Sequence, residues 1–205
     1  MRLVLASLLA LAAVPVLAQD LPKEAPGAPD PSRAVAGTYS VDPGHTQVLF
    51  TVGHLGFSEY TGMFVEPTGT LTLDPANPAN DKVDVSFPIA KVRTTVAALD
   101  EHLQQPEFFD AAKYPTGRFV STRVTVTGQG AATIDGNLTL KGVTRPVSLD
   151  VRFVGAGKAP MGPPKANIGF AATTTVKRSD FGIDYGVPLV SDDVLLTINA
   201  AFEQK

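Results

Sequence analysis

The chain of 205 residues contains no cysteine and no tryptophan, and only three histidines. The missing thiols exclude a disulfide framework, a cysteine nucleophile and a lipid anchor on a cysteine, so any fold must rest on its own apolar core. With histidine confined to His45, His54 and His102, a serine triad or a histidine metal site has few possible centres. His45 and His54 are nine positions apart, roughly 30 Å along one extended strand, which is wrong for a shared metal. Each reads better as a structural histidine bonded locally. Positive charge is scarce as well. Without Arg2 of the leader described below, sixteen basic side chains face twenty acidic ones, a balance of −4. That weak acidity argues against a nucleic-acid partner, which would need a basic stripe to hold phosphates. Neither a Gly-x-Ser-x-Gly elbow nor a phosphate-cradling glycine loop occurs. No catalytic residue, cofactor or metal is implied.

Long hydrophobic runs are missing too, except at the start. Arg2 precedes the apolar run Leu3 to Val14, Pro15 breaks it, and Val16-Leu17-Ala18 places small residues at a cleavage point. This is the pattern of a cleaved signal peptide over 1–18. The run is shorter than the roughly 20 residues of a spanning helix. The mature chain is expected to begin near Gln19, in the periplasm or outside the cell, with no membrane span. Residues 19–36 carry Pro22, Pro26, Pro29 and Pro31 without hydrophobic periodicity and read as a disordered tether. The folded domain is expected over 37–205.

From Gly37 the chain alternates with period two, the mark of strands. Val48, Phe50, Val52 and His54 form one row. Val83, Val85, Phe87 and Ile89 form another, and Val147, Leu149, Val151 and Phe153 a third. Ile168, Phe170, Ala172, Thr174 and Val176 follow, then Val194, Leu196, Ile198, Ala200 and Phe202. Less regular strands fit 38–42, 63–73, 118–127 and 132–140, and Asp135-Gly136 and Lys141-Gly142 carry turn chemistry. One insert breaks the rhythm: Thr95 can cap a helix over Val96–Gln104, and Pro106 can start a second through Tyr114.

Antiparallel strands with one helical insert fit either a sandwich or a closed barrel. Little charge on the inward rows favours closure. The inward rows are read as containing small residues, Gly169, Ala171, Ala172 and Ala200, which suit a ligand cavity. They suit packing beneath a helix equally well. Arg178, Asp180 and Asp184 around Phe181-Gly182 read as a turn held by an Arg–Asp pair rather than an anion or acid–base site. Asn137-Leu138-Thr139 matches the glycosylation sequon and is read as incidental.

The order of several short motifs resembles the YceI-like family of periplasmic proteins described as polyisoprenoid- or lipid-binding. They are Tyr39-Ser40-Val41-Asp42 with His45 and Phe50, His54-Leu55-Gly56, and Gly62-Met63-Phe64. Asp100-Glu101-His102-Leu103, Phe108-Phe109-Asp110 and Tyr114-Pro115 follow in the insert. Gly136 to Thr144, Arg178 to Ile183 and Val190 to Val194 complete the set, so the likeness runs from Tyr39 to Glu203. Leu99 stands where members often carry a basic residue, and Thr46 where serine is common. The resemblance implies an all-β fold, an eight-stranded antiparallel lipocalin-like barrel with a short helical insert and an apolar tunnel. It implies a binding protein for a long-chain isoprenoid or other lipid rather than an enzyme. The ligand-binding wall would then be Phe50, Val52, His54, Phe64, Val85, Phe87, Phe119, Val151, Phe153, Phe170, Ala172, Leu196 and Ile198. Two rivals stay open: an enzyme on the same barrel, which would need a polar pair inside it, and a partner-binding module with a filled core. A homodimer is left open by the sequence.

Overall fold

A computed structural model describes residues 23–161 and 163–205. The expected signal peptide and the first residues of the tether lie outside the described residues. The strands are β1 (Gly37–Val41), β2 (Gln47–His54), β3 (Ser58–Phe64), β4 (Thr68–Leu73), β5 (Lys82–Pro88) and β6 (Val92–Arg93). They continue with β7 (Thr116–Gly128), β8 (Ala131–Leu140), β9 (Val143–Lys158), β10 (Ala166–Lys177) and β11 (Val190–Gln204). One helix, α1 (Ala97–Leu103), sits in the insert between β6 and β7.

Every pairing is antiparallel, and the sheet closes where β1 meets β11. Three barrel strands are each broken once. β11 pairs with β2 along Val190 to Asn199 and with β1 at Phe202 to Gln204, so β1 and β2 are two halves of one wall strand. In the same way β3 and β4 share one position, as do β5 and β6, which gives an eight-stranded closed barrel. Each break has a local cause. Between β1 and β2 the Asp42 carboxylate accepts the Gly44 N–H at 3.0 Å and holds His45 Nδ1 at 2.7 Å. Between β3 and β4, Glu66 takes a left-handed φ of 57° just before Pro67. Between β5 and β6, Ile89–Lys91 form a 3₁₀ turn.

The apolar rows line the inside, in two clusters stacked along the barrel. One gathers Phe50, Phe64, Phe87, Phe119 and Phe181 with Phe108 and Phe109 of the insert. The other gathers Tyr39, Val41, Leu71, Leu73, Ile168 and Phe202. Lys141 and Gly142, with φ of 48° and 74°, make the two-residue hairpin turn the sequence announces, in the left-handed geometry that matches strand twist. Asp135-Gly136 is no turn. It lies inside β8, where a Cβ on residue 136 would collide with the Phe119 ring. The same contact recurs at Gly62 under Phe50 and at Gly117 under Phe87. Gly117→Ala is therefore expected to cost roughly 1–3 kcal/mol through overpacking, read as a lower denaturation midpoint. A midpoint unchanged within error would show that Phe87 moves aside freely.

The insert differs from the expected pair of helices. Thr94, and not Thr95, organises the start of α1: its hydroxyl accepts the Val96 N–H at 3.1 Å, and Asp100 accepts the Thr94 N–H at 2.6 Å. Thr95 instead meets the Tyr60 hydroxyl at 3.1 Å. Beyond α1 the chain runs in turns, and Asp110 among them takes a left-handed φ of 49°. Those turns direct Phe108 and Phe109 toward the barrel interior.

The expected tether also differs. Ala28 bridges Ala156 of β9, and Pro31–Arg33 form a 3₁₀ turn against the same strand. Absent periodicity misleads here because the segment docks through its main chain, which leaves no side-chain pattern.

Candidate functional site

The two apolar clusters enclose one tunnel of about 450 Å³ that reaches from the insert to the opposite end of the barrel. Its wall follows from strand parity. Phe50 and Val52 of β2, Phe64 of β3, Val85 and Phe87 of β5 and Phe119 of β7 line it. On the far side stand Val151 and Phe153 of β9, Phe170 and Ala172 of β10, and Leu196 and Ile198 of β11. Ala200 lines it too, whereas Gly169 and Ala171 do not, since they alternate with Phe170 and Ala172.

His54 is the exception. Strand parity predicts it inside, yet it is exposed and absent from the wall. It closes β2 opposite Val190, next to an irregular register in β11, and at that level Val190 rather than His54 lines the tunnel. Its ring lies 6.5 Å from that of Tyr60, outside the lumen.

Phenylalanines organise the upper part of the tunnel. The Phe64 ring lies 5.4 Å from Phe50, 4.7 Å from Phe87 and 5.4 Å from Phe109. The insert thus covers one end with Leu103, Phe108 and Phe109. Outside that cover, Phe108 packs edge-on against His102 at 5.0 Å and Tyr185 at 5.4 Å. The lower part holds Phe153, Phe170 and Phe202 in edge contacts of 5.9 and 6.3 Å. The alternating pattern misses the insert residues, although two adjacent phenylalanines in a polar stretch are a usable signal. It also misses Phe181 and Ile183, whose turn breaks the alternation.

The few polar side chains on the wall are already bonded within the protein. Thr46 donates to the Ala201 carbonyl at 3.1 Å and accepts its N–H at 3.0 Å. Asp81 accepts the Asp74 N–H at 2.6 Å, and burial holds its carboxyl above the ordinary aspartate value. Arg178 is buried, and its guanidinium donates to the carbonyls of Ser191, Ile183, Tyr185 and Val190 at 2.8 to 3.1 Å. Burial lowers its pKa from the ordinary arginine value, and the charges of Asp192 and Asp184 oppose that. The Arg–Asp pair expected to hold this turn is replaced by main-chain carbonyls, with Asp180 and Asp184 exposed. Among the described residues no buried side-chain polar atom lacks a partner, and no group of His, Asp and Glu gathers to hold a metal. The wall thus offers a contact surface for an apolar chain and little to a polar reactant.

A closed antiparallel barrel around an apolar tunnel, covered at one end by a short helical insert, defines a lipocalin-like fold. The chain belongs to the YceI-like family, whose domain matches residues 39–202. A UPF0312 protein of Ectopseudomonas mendocina is 40% identical over 169 residues, 82% of this chain and 87% of that protein. A UPF0312 protein of Serratia proteamaculans is 40% identical over 168 residues, covering 81% and 86%. Among solved structures, the YceI protein of Campylobacter jejuni superposes with a TM-score of 0.66 at 32% identity, over 75% of this chain and 90% of that one. A domain from Saccharophagus degradans, named as polyisoprenoid-binding and implicated in plant cell wall breakdown, has the same fold. Its TM-score is 0.61 at 14% identity, over 82% and 98% of the two chains.

Proposed function

We propose that this protein is an exported carrier that holds a long apolar chain, of the polyisoprenoid class, inside its barrel. The observation that carries the reading is the tunnel itself: about 450 Å³ walled by aliphatic and phenyl groups, its few polar side chains engaged by the protein. Each methylene buried there contributes about 0.8 kcal/mol. An isoprene unit therefore adds several kcal/mol without any polar contact. The polyisoprenoid-binding domain of Saccharophagus degradans, built on the same fold, supports the ligand class. The leader pattern over 1–18 supports export, since such a cargo outside the cytoplasm needs a water-soluble holder.

The test is native mass spectrometry of the mature protein purified in its exported form, before and after exposure to vesicles containing polyprenols. Adducts that differ by isoprene units, and a first residue near Gln19, are expected. A protein that stays ligand-free after that exposure would overturn the carrier reading.

A further inference from the structure

The segment before β1 crosses the end of the barrel opposite the insert, from the edge of β9 to the start of β1. Its course is fixed at several points. β8 leaves the edge of β9 after Arg152, and the register of β9 against β10 slips between Gly169 and Phe170. Onto the freed edge Ala28 docks by two main-chain bonds: its N–H donates to the Ala156 carbonyl at 3.1 Å, and its carbonyl accepts the Ala156 N–H at 3.0 Å.

The receiving strand is shaped for this. A Cβ on residue 155 would come within 3.0 Å of the Ala28 carbonyl oxygen, and one on residue 157 would collide with that of Pro26. Neither glycine has the left-handed φ that would require glycine for its own sake. They are small because the segment lies there. Asp30 then accepts the Ser32 N–H at 2.9 Å and its hydroxyl at 2.7 Å, which sets the Pro31–Arg33 turn. At the far side the hydroxyl of Tyr39, itself 1% exposed, donates to the Val35 carbonyl at 2.6 Å. Between these anchors Pro31 and Ala34 form part of the tunnel lining, and Ala34 packs on the Tyr39–Phe202 cluster.

We infer that residues 26–34 are the floor of the tunnel and set the longest chain it accepts. This rests on the carrier reading and adds a length limit to it. A ligand entering beneath the insert ends against Pro31 and Ala34, and each further methylene must stay in water. Every methylene kept out lowers affinity about fourfold.

The mature full chain and two variants would be offered an equimolar ladder of polyprenols, and the bound lengths read by native mass spectrometry. Ala34→Leu raises the floor, so the longest chain retained by the unaltered protein should lose about tenfold or more in occupancy. Gly157→Val drives Pro26 off β9 and opens the floor, so the limit should move to longer chains. If Gly157→Val fails to fold, Ala34→Leu decides alone. An identical length limit in all folded variants, with lipid still bound, would overturn the floor and leave the carrier intact. No lipid on any protein, the unaltered one included, would overturn both.

Discussion

Ala172→Phe is expected to abolish lipid uptake while leaving the barrel folded. Ala172 lies in β10 between Val151 and Ile198 in register, with its methyl on the tunnel wall. A phenyl ring there projects into the space an apolar chain would occupy. Displacing one isoprene unit forfeits about 4 kcal/mol of burial, roughly a thousandfold in affinity. In a filled core the same ring would cost roughly 1–3 kcal/mol by overpacking. With a tunnel of about 450 Å³ to enter, it should cost less than about 1 kcal/mol, under about 4 °C for a domain of this size. Lipid loading and calorimetry on one sample separate the cases. Strong unfolding would show that residue 172 faces packed atoms, and retained loading would show that the ligand passes elsewhere.

Arg178→Met should have the opposite profile, a large loss of stability. Methionine keeps the apolar stem and removes the donors to four carbonyls that hold the 183–191 loop to the barrel. Each carbonyl left buried without a donor costs about 1–3 kcal/mol, and some will find water. A total of roughly 3–5 kcal/mol corresponds to a fall of about 6–20 °C in melting temperature. Arg178→Lys keeps the charge but not the fork, and should recover less than half of the loss. If Arg178 instead served an anionic group of the ligand, Met would spare the melting temperature and weaken loading.

What the residues disclose on their own is a set of faces. Period-two rows place Phe50, Val85, Val151 and Leu196 on one side of their strands, and all four stand on the tunnel wall. Closure is not legible in them. It depends on Tyr39 to Val41 meeting Phe202 to Gln204, a pairing between the two ends of the domain that no local pattern encodes. Family resemblance, not periodicity, supplies the barrel. His54 marks a second limit: alternation assumes an unbroken register, and at the irregular end of β11 it is Val190, not His54, that lines the tunnel. Gly136 marks a third, since a glycine beside aspartate signals a turn unless a ring on the neighbouring strand needs its space. The floor escapes for a related reason. Its partners on β9 are the main-chain N–H and carbonyl of Ala156, and Gly155 and Gly157 are its one trace in the side chains.

The rings over Gly62, Gly117 and Gly136 belong to Phe50, Phe87 and Phe119, which are themselves tunnel wall. Bore and strand packing therefore share the same atoms, and this constrains how the protein can diverge. A smaller side chain at position 87 widens the lumen but leaves a void over Gly117. A larger one at 117 pushes the ring inward and narrows the lumen. Each step alone is costly, and the two together conserve volume, so their effects should be strongly non-additive. New calibres are thus reached through matched exchanges between adjacent strands, in an order set by which single step the barrel tolerates first.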